Sequence, residues 1–370
     1  MAATGNKEVL GANIMNILSS FFTDDLAIDL GTVNTLIYAP HRGVVLNEPS
    51  AVALHKYTGE VLAVGMDAYK MLGREPQDVE VHRPIRGGTI NNFDVTEKML
   101  TAFVRRVHGD RKRRSHLVIG VPGSSTTLEQ RSVRDAARDA KATRVDLVDE
   151  GLAAAIGAGL SFDDERAHLV VDIGGGTTNI AIIASAAVVS SVSLPAAGNA
   201  MDEAIRDYIR TTYTMQIGER TAEQVKTELG TALSTDEKAE RRMEVVGKGL
   251  TDGSAKAVEI SSAEVREAIE PVLADIITGV RRAVEDSQPD VTADIYHTGV
   301  ILTGGGALLD GLAERLQQEI GFHVVVADDP LSAVAFGAGR LLEEPERLQR
   351  ASIREDVPVW QTSEDLVVNW

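Results

Sequence analysis

The sequence predicts an α/β protein built as two related halves, each opened by the same strand–turn–strand device. Three observations carry this. "AIDLGTVNTLIY" (residues 27–38) and "VVDIGGGTTNIAII" (170–183) share one order: apolar run, Asp, apolar residue, Gly, small polar residues, second apolar run. Their aspartates, Asp29 and Asp172, stand about 140 positions apart, which internal duplication explains economically. A third glycine turn, Gly304–Gly306, lies between an apolar run and a helical pattern.

Residues 26–56 read as a strand meander, because "LAIDL", "NTLIYAP", "GVVLNE" and "SAVALHK" are short, apolar and punctuated by Gly, Pro and Asn. A helix over Val95–Val107 is expected next, with Asp94 as its N-cap. "HLVIGVP" has the continuous apolar run of a buried strand, and "TTLEQRSVRDAARDA" repeats its apolar positions at helical spacing. "VDLVDEGLAAAIGAGL" is predicted to be a helix, rich enough in Ala and Gly for another backbone to approach closely. At His168 the strand pattern restarts with "HLVVDI", "NIAIIAS" and "AVVSSVSLP". Helices are expected from Ala200 to Met215 and from Thr221 to Leu233, then a hairpin turning at Asp252-Gly253. "SAEVREAIEPVLADIITGVRRAVEDS" reads as a long amphipathic helix, and "GVILTGGGALLDGLAERLQQEI" as strand, glycine turn and helix.

Composition narrows the class. The 370 residues suffice for one large core or two ordinary ones, and 44% hydrophobic with 25% charged residues is an ordinary globular balance. The chain has no cysteine, which excludes disulfides and thiolate metal sites and fits a reducing cytoplasm. A formal charge of −18 argues against nucleic acid as a partner. No apolar run approaches the ~20 residues of a membrane helix, and the N-terminus lacks the pattern of a secretory signal.

The glycine turns carry the candidate chemistry. A tight Gly-Thr or Gly-Gly-Gly-Thr-Thr turn aims several backbone N–H groups at one point, and glycine removes the Cβ that would keep a phosphate away. Thr32, Thr35, Thr177 and Thr178 can add hydroxyls. If a pseudo-twofold axis relates the halves, Asp29 and Asp172 face each other, and two carboxylates beside a polyphosphate suit a hydrated Mg²⁺. Either Asp alone reads equally well as a turn cap; the repetition favours the metal. The P-loop, G-x-G-x-x-G, H-E-x-x-H and G-x-S-x-G patterns are all absent.

These three elements, in this order and spacing, resemble the actin-like ATPase superfamily. "VLNEPSAVAL", "RPIRGGTINNFDVTEKML", "AAAIGAGL", "IGERTAEQVKTELG" and "VVVADDPLSAVAFGAG" extend the likeness over residues 24–340, to the MreB family of bacterial actins. That resemblance implies an actin-like, ribonuclease H-like duplicated fold with nucleotide in a central cleft. It implies domain I over 24–160, with a small subdomain near 39–81, and domain II over 161–334, with a small subdomain near 197–262. A helix at 335–342 would return to domain I, before a C-terminal tail at 343–370.

Residue by residue, it implies Thr32, Val33 and Asn34 on a first phosphate loop and Gly174, Gly175, Gly176, Thr177 and Thr178 on a second. Glu223, Gln224, Val225 and Lys226 would flank the adenosine, and Gly304, Gly305, Gly306 and Ala307 would close over the nucleotide. Asp29 and Asp172 would hold Mg²⁺ through water. Glu150, assisted by Thr178, would orient the water attacking ATP; GTP is the alternative nucleotide.

The implied function is a filament-forming cytoskeletal ATPase of slow turnover, assembled as paired protofilaments at the inner membrane face, partnered by lipid and by cell-wall elongation membrane proteins. The rival is a non-polymerising ATPase on the same fold. A chaperone would need a further domain after residue 342, and no dedicated base for a sugar kinase stands out. The chain departs from the family pattern at Gly151, where Pro is usual, and in the basic run "HGDRKRRSH", where apolar residues are common. Residues 9–22 place Leu10, Ile14, Ile17, Leu18 and Phe21 on one helical face, an amphipathic extension (residues 1–23) that either lies in a membrane surface, with Arg111–Arg114 adding attraction to anionic headgroups, or packs on its own domain or a neighbouring subunit.

Overall fold

A computed structural model describes residues 25–109, 115–233 and 240–354. The amphipathic segment 9–22, the basic run 111–114 and the last residues, with Trp360 and Trp370, lie outside the described residues.

Two five-stranded sheets form the frame. The first half contributes β1 (Leu26–Leu30), β2 (Asn34–Ala39) and β3 (Gly43–Pro49). A small sheet of β4 (Val52–His55), β5 (Val61–Val64) and β6 (Val79–His82) follows, then the hairpin β7 (Ile85–Arg86) and β8 (Thr89–Ile90). β9 (Ser115–Val121) and β10 (Ala142–Asp149) complete the first large sheet. The second half has β11 (His168–Ile173), β12 (Thr178–Ala184) and β13 (Ala187–Leu194), then a small sheet of β14 (Met215–Gln216), β15 (Arg242–Gly249) and β16 (Ala255–Ser261). β17 (Val300–Thr303) and β18 (Val324–Val326) close it.

The large sheets have one topology. The first runs β10-β9-β1-β2-β3 and the second β18-β17-β11-β12-β13. In each, the opening strand pairs antiparallel with its hairpin partner and parallel with the later strand. The register repeats as well: Asp29 faces Leu36 and Asp172 faces Asn179, seven positions on in both cases. This is the duplication expected from the repeated motif. β11 is buried along its whole length, as a continuous "HLVVDI" run requires when both sheet faces are covered.

Each half has its own apolar core, and a third cluster joins them: Ala27, Val118 and Val148 with Val170, Ala181 and Val334. At that junction the helices Glu150–Gly157 and Ala333–Glu343 cross in near backbone contact. A Cβ added to Gly157 would lie 1.8 Å from the Ala333 carbonyl oxygen, and one on Gly337 would lie 1.8 Å from that of Ala153. Their small residues make the crossing possible, and Arg340 secures it by donating to the Ile156 carbonyl at 2.8 Å.

Several elements differ from expectation. Asn92, not Asp94, caps the helix Phe93–His108, accepting from Val95 N at 3.2 Å. The stretch expected as one helix from Val145 is divided: β10 pairs in parallel with β9 through Asp149, whose side chain then accepts from Leu152 N at 2.9 Å and starts the helix. The helix Pro289–Thr298 was not anticipated. The C-terminal stretch is docked at its start, where the helix Pro345–Ala351 leads Ile353 to donate its N–H to the Leu147 carbonyl at 2.8 Å.

Candidate functional site

The two glycine turns meet across a cavity of about 600 Å³ between the halves. A Cβ on Gly175 would fall 2.1 Å from Val33 Cγ2, and one on Gly176 would fall 2.4 Å from Thr32 Oγ1. Only glycine lets the turns approach so closely. Thr32 Oγ1 accepts from Gly88 N at 3.0 Å. The second turn is pinned by Gly198 N and Asn199 N, which donate to the Gly174 and Gly175 carbonyls at 3.1 and 2.7 Å. The N-terminus of the helix Gly198–Tyr213 thus abuts this turn.

Beneath the turns lie three acids, half-buried Asp29 and buried Asp172 from the two strand ends and buried Glu150 from the first turn of its helix. Burial, then repulsion from Asp172, raises the Asp29 carboxyl to about 7. Burial raises Asp172 to about 6, against a hydrogen bond from Thr303 Oγ1 at 2.9 Å. Burial also pushes Glu150 well up, followed by repulsion from Asp29, Asp172 and Asp149. Its Oε2 accepts from Asn179 Nδ2 at 2.7 Å, and Asn179 Oδ1 accepts from Ser193 Oγ at 2.7 Å.

The donor set bears on Mg²⁺. Among the described residues no group of three or more acids or histidines is arranged to grip a metal directly. Two acids that face the cleft, one from each half, fit a cation that keeps its water shell and is held through it.

At the other end of the cavity, Lys226 Nζ donates to Asp202 Oδ2 at 2.9 Å and to the Gly198 carbonyl at 3.0 Å. Oδ1 of Asp202 is buried without a hydrogen bond although the ammonium lies 2.9 Å away. Burial lifts this carboxyl to about 6, with Lys226 pulling it down. Glu223 accepts from the hydroxyl of Tyr69, which comes from the first half. Arg83 and Arg220 flank the Tyr69 ring at 5.5 and 5.6 Å, and Arg83 reaches Glu219 at 3.4 Å. Together they clasp the two halves beside the cavity. Gly304 has a φ of +77° and packs against the Ile173 carbonyl, so Gly304–Gly306 line the wall together with Leu308, Leu309 and Leu331.

Not every expected residue faces the cavity. Asp29, Thr32, Val33, Asn34, Glu150, Asp172, Gly174–Thr177, Glu223, Lys226 and Gly304–Gly306 do. Thr178 does not: it is wholly buried and donates to the Ala196 carbonyl at 2.6 Å. Strand alternation turns Thr178 inward and its neighbours Thr177 and Asn179 toward the cleft. Gln224 is exposed and bonds Glu228 at 2.8 Å, whereas Val225 and Ala307 belong to the second-half core. Tyr69, Arg83, Asn179, Asp202, Glu219 and Leu331 were missed. Period-two alternation after Thr177 was the available signal for Asn179; Tyr69 and Arg83 come from the other half and carried none.

Two lobes of one topology, meeting at paired Asp-Gly turns over a deep cleft, define a protein of the actin-like class. The profile of the MreB/Mbl protein family matches residues 23–350, and the chain belongs to that family. It is 45% identical over 328 residues to the cell shape-determining protein MreB of Escherichia coli (strain K12), covering 87% of this chain and 94% of that protein. It is 39% identical over 333 residues to the cell shape-determining protein Mbl of Bacillus subtilis (strain 168), covering 90% and 99%. Among solved structures, MreB5 of Spiroplasma citri bound to ADP superposes with a TM-score of 0.82 at 32% identity, covering 88% of this chain and 97% of that one. The MamK double helical filament superposes at 0.73 with 23% identity, covering 87% and 99%, a likeness of fold.

Proposed function

We propose that this chain binds ATP with Mg²⁺ in the central cleft, hydrolyses it slowly and assembles into paired protofilaments at the inner membrane face, where it maintains cell shape by organising cell-wall synthesis. The observation carrying this reading is the meeting of Gly175 with Val33 and Gly176 with Thr32 above Asp29, Asp172 and Glu150. Two nests of backbone donors from opposite lobes surround the place a polyphosphate would take. The solved MreB5 structures bound to ADP and to AMPPNP support an adenine nucleotide over GTP.

Asp29 and Asp172 would hold the cation through its waters, and the cation would neutralise phosphate charge during transfer. Glu150 accepts a hydrogen bond from the water that attacks the terminal phosphorus; the bond to the ADP oxygen breaks and inorganic phosphate leaves. Thr177, in the cleft, replaces Thr178 as the assisting hydroxyl. Asp202, on the cavity lining, suits a sugar hydroxyl, and the Leu308–Leu331 wall suits the flat face of a base.

The relatives' role in cell shape supports the cytoskeletal assignment, with lipid and wall-elongation membrane proteins as partners. Electron microscopy of the purified protein with Mg·ATP and anionic lipid tests it. Paired protofilaments on the lipid are expected; particles that stay single in every nucleotide state would favour a non-polymerising ATPase.

A further inference from the structure

Glu150 belongs to one half of the molecule, yet its fixed contact belongs to the other. Oε2 accepts from Asn179 Nδ2 at 2.7 Å, and Asn179 is the second residue of β12, immediately after the glycine turn Gly174–Thr177. We propose that Asn179, itself oriented by Ser193, is a positioning residue that aims the Glu150 carboxylate and ties it to the second glycine turn. The inference rests on the proposed ATP hydrolysis.

The chemistry of the amide makes the arrangement directional. A primary amide has an accepting end and a donating end, and the carboxyl oxygen facing the NH₂ end can only accept from it. Ser193 lies opposite Asn179 in the β12–β13 register and donates its hydroxyl to Oδ1 at 2.7 Å. That bond commits the oxygen end to β13 and presents the NH₂ end to Glu150. With Oε2 so engaged, Oε1 is left to hold a water.

The same face of β12 also seats the helix that carries Glu150. Ala181, two residues beyond Asn179, lies against Gly151, where an added Cβ would come within 2.4 Å of the Ala181 Cβ. Gly151 lets the helix rest directly on β12. Glu150 and Gly151 meet Asn179 and Ala181 as two adjacent contacts between the lobes. A shift of the second turn moves β12, and through Asn179 it moves the carboxylate. An acid misplaced by about an ångström loses on the order of 100-fold in rate, so its orienting bond bears on turnover more than on binding.

Phosphate release and ATP affinity of the full chain, measured for wild type, Ser193→Ala, Ser193→Thr and Asn179→Ala, test the proposal. Ser193→Ala is expected to lower kcat roughly 10-fold and Asn179→Ala by roughly 10- to 100-fold, with ATP dissociation constants within about twofold of wild type. Ser193→Thr keeps the hydroxyl and should recover most of the rate. Ser193 is half-buried on the edge strand β13, so its variants keep the fold if Asn179→Ala does not. Wild-type turnover in Ser193→Ala, or affinity falling in step with kcat, would overturn the positioning role while leaving ATP hydrolysis intact. A wild-type protein releasing no phosphate in any filament-forming condition would overturn the hydrolysis reading, and the positioning role with it.

Discussion

Gly337→Ala places a methyl group where the helices Glu150–Gly157 and Ala333–Glu343 cross. Two effects oppose each other. Ala is favoured over Gly in a helix interior by about 1 kcal/mol, which alone would stabilise the variant. The new Cβ, however, would start 1.8 Å from the Ala153 carbonyl oxygen and 2.6 Å from its carbon. Both are backbone atoms of another helix, so no side chain can rotate away and the helices must separate. Overpacking of this kind costs about 1–3 kcal/mol, and a backbone-to-backbone clash belongs at the upper end. The net expectation is a loss of about 1–2 kcal/mol, or roughly 2–8 °C in Tm for lobes of this size. Thermal and urea unfolding of wild type, Gly337→Ala and Gly157→Ala measure it. Adding the second substitution should cost less than the sum, because one separation relieves both clashes. An unchanged or raised Tm in Gly337→Ala would refute the close crossing.

Asp29→Ala and Asp172→Ala should each weaken Mg·ATP binding by calorimetry, since each removes an acceptor for metal-bound water; unchanged affinity in both would contradict the shared site. Glu150→Ala should leave nucleotide affinity near normal while slowing phosphate release and prolonging filaments, whereas wild-type hydrolysis would shift suspicion to Asp149. The raised carboxyls give a pH dependence of definite sign. Asp29 stays protonated in the folded protein between its ordinary 3.8 and about 7, so folding takes up a proton there, and the nucleotide-free protein loses stability as pH rises through that window. Mg·ATP affinity should move oppositely, weakening as pH falls below about 7, and a flat calorimetric profile would count against these acids as the cation's partners. Deleting residues 1–22 should leave ATP-dependent filaments but abolish their co-sedimentation with liposomes; undiminished binding would assign lipid contact elsewhere, first to Arg111–Arg114.

The frame was legible because the strands are coded locally. Asp29 and Asp172 each stand in an apolar run before a glycine turn, and that pattern alone located both hairpins and both turns. The strand over Ala142–Asp149 was hidden because "VDLVD" runs straight into an Ala-rich helix, and only the parallel partner β9 separates them. Thr178 was misassigned because a motif names residues without their facing, which the β-pleat decides. The clasp of Tyr69 and Arg83 on Glu223 and Glu219 joins residues 136 and 154 positions apart, a juxtaposition made by tertiary folding.

The facing acids Asp29 and Asp172 would act on the cleft as an electrostatic spring. Asp29 and Asp172 belong to different lobes, and the charge on one raises the proton affinity of the other. Bringing the lobes together with both groups ionised therefore costs free energy, and drawing them apart into water returns it. The proposed cation, held between them, would relieve that repulsion more in a closed arrangement than in an open one. Its binding would then be coupled to lobe separation: whatever favours closure would tighten the cation, and the cation would favour closure by the same factor.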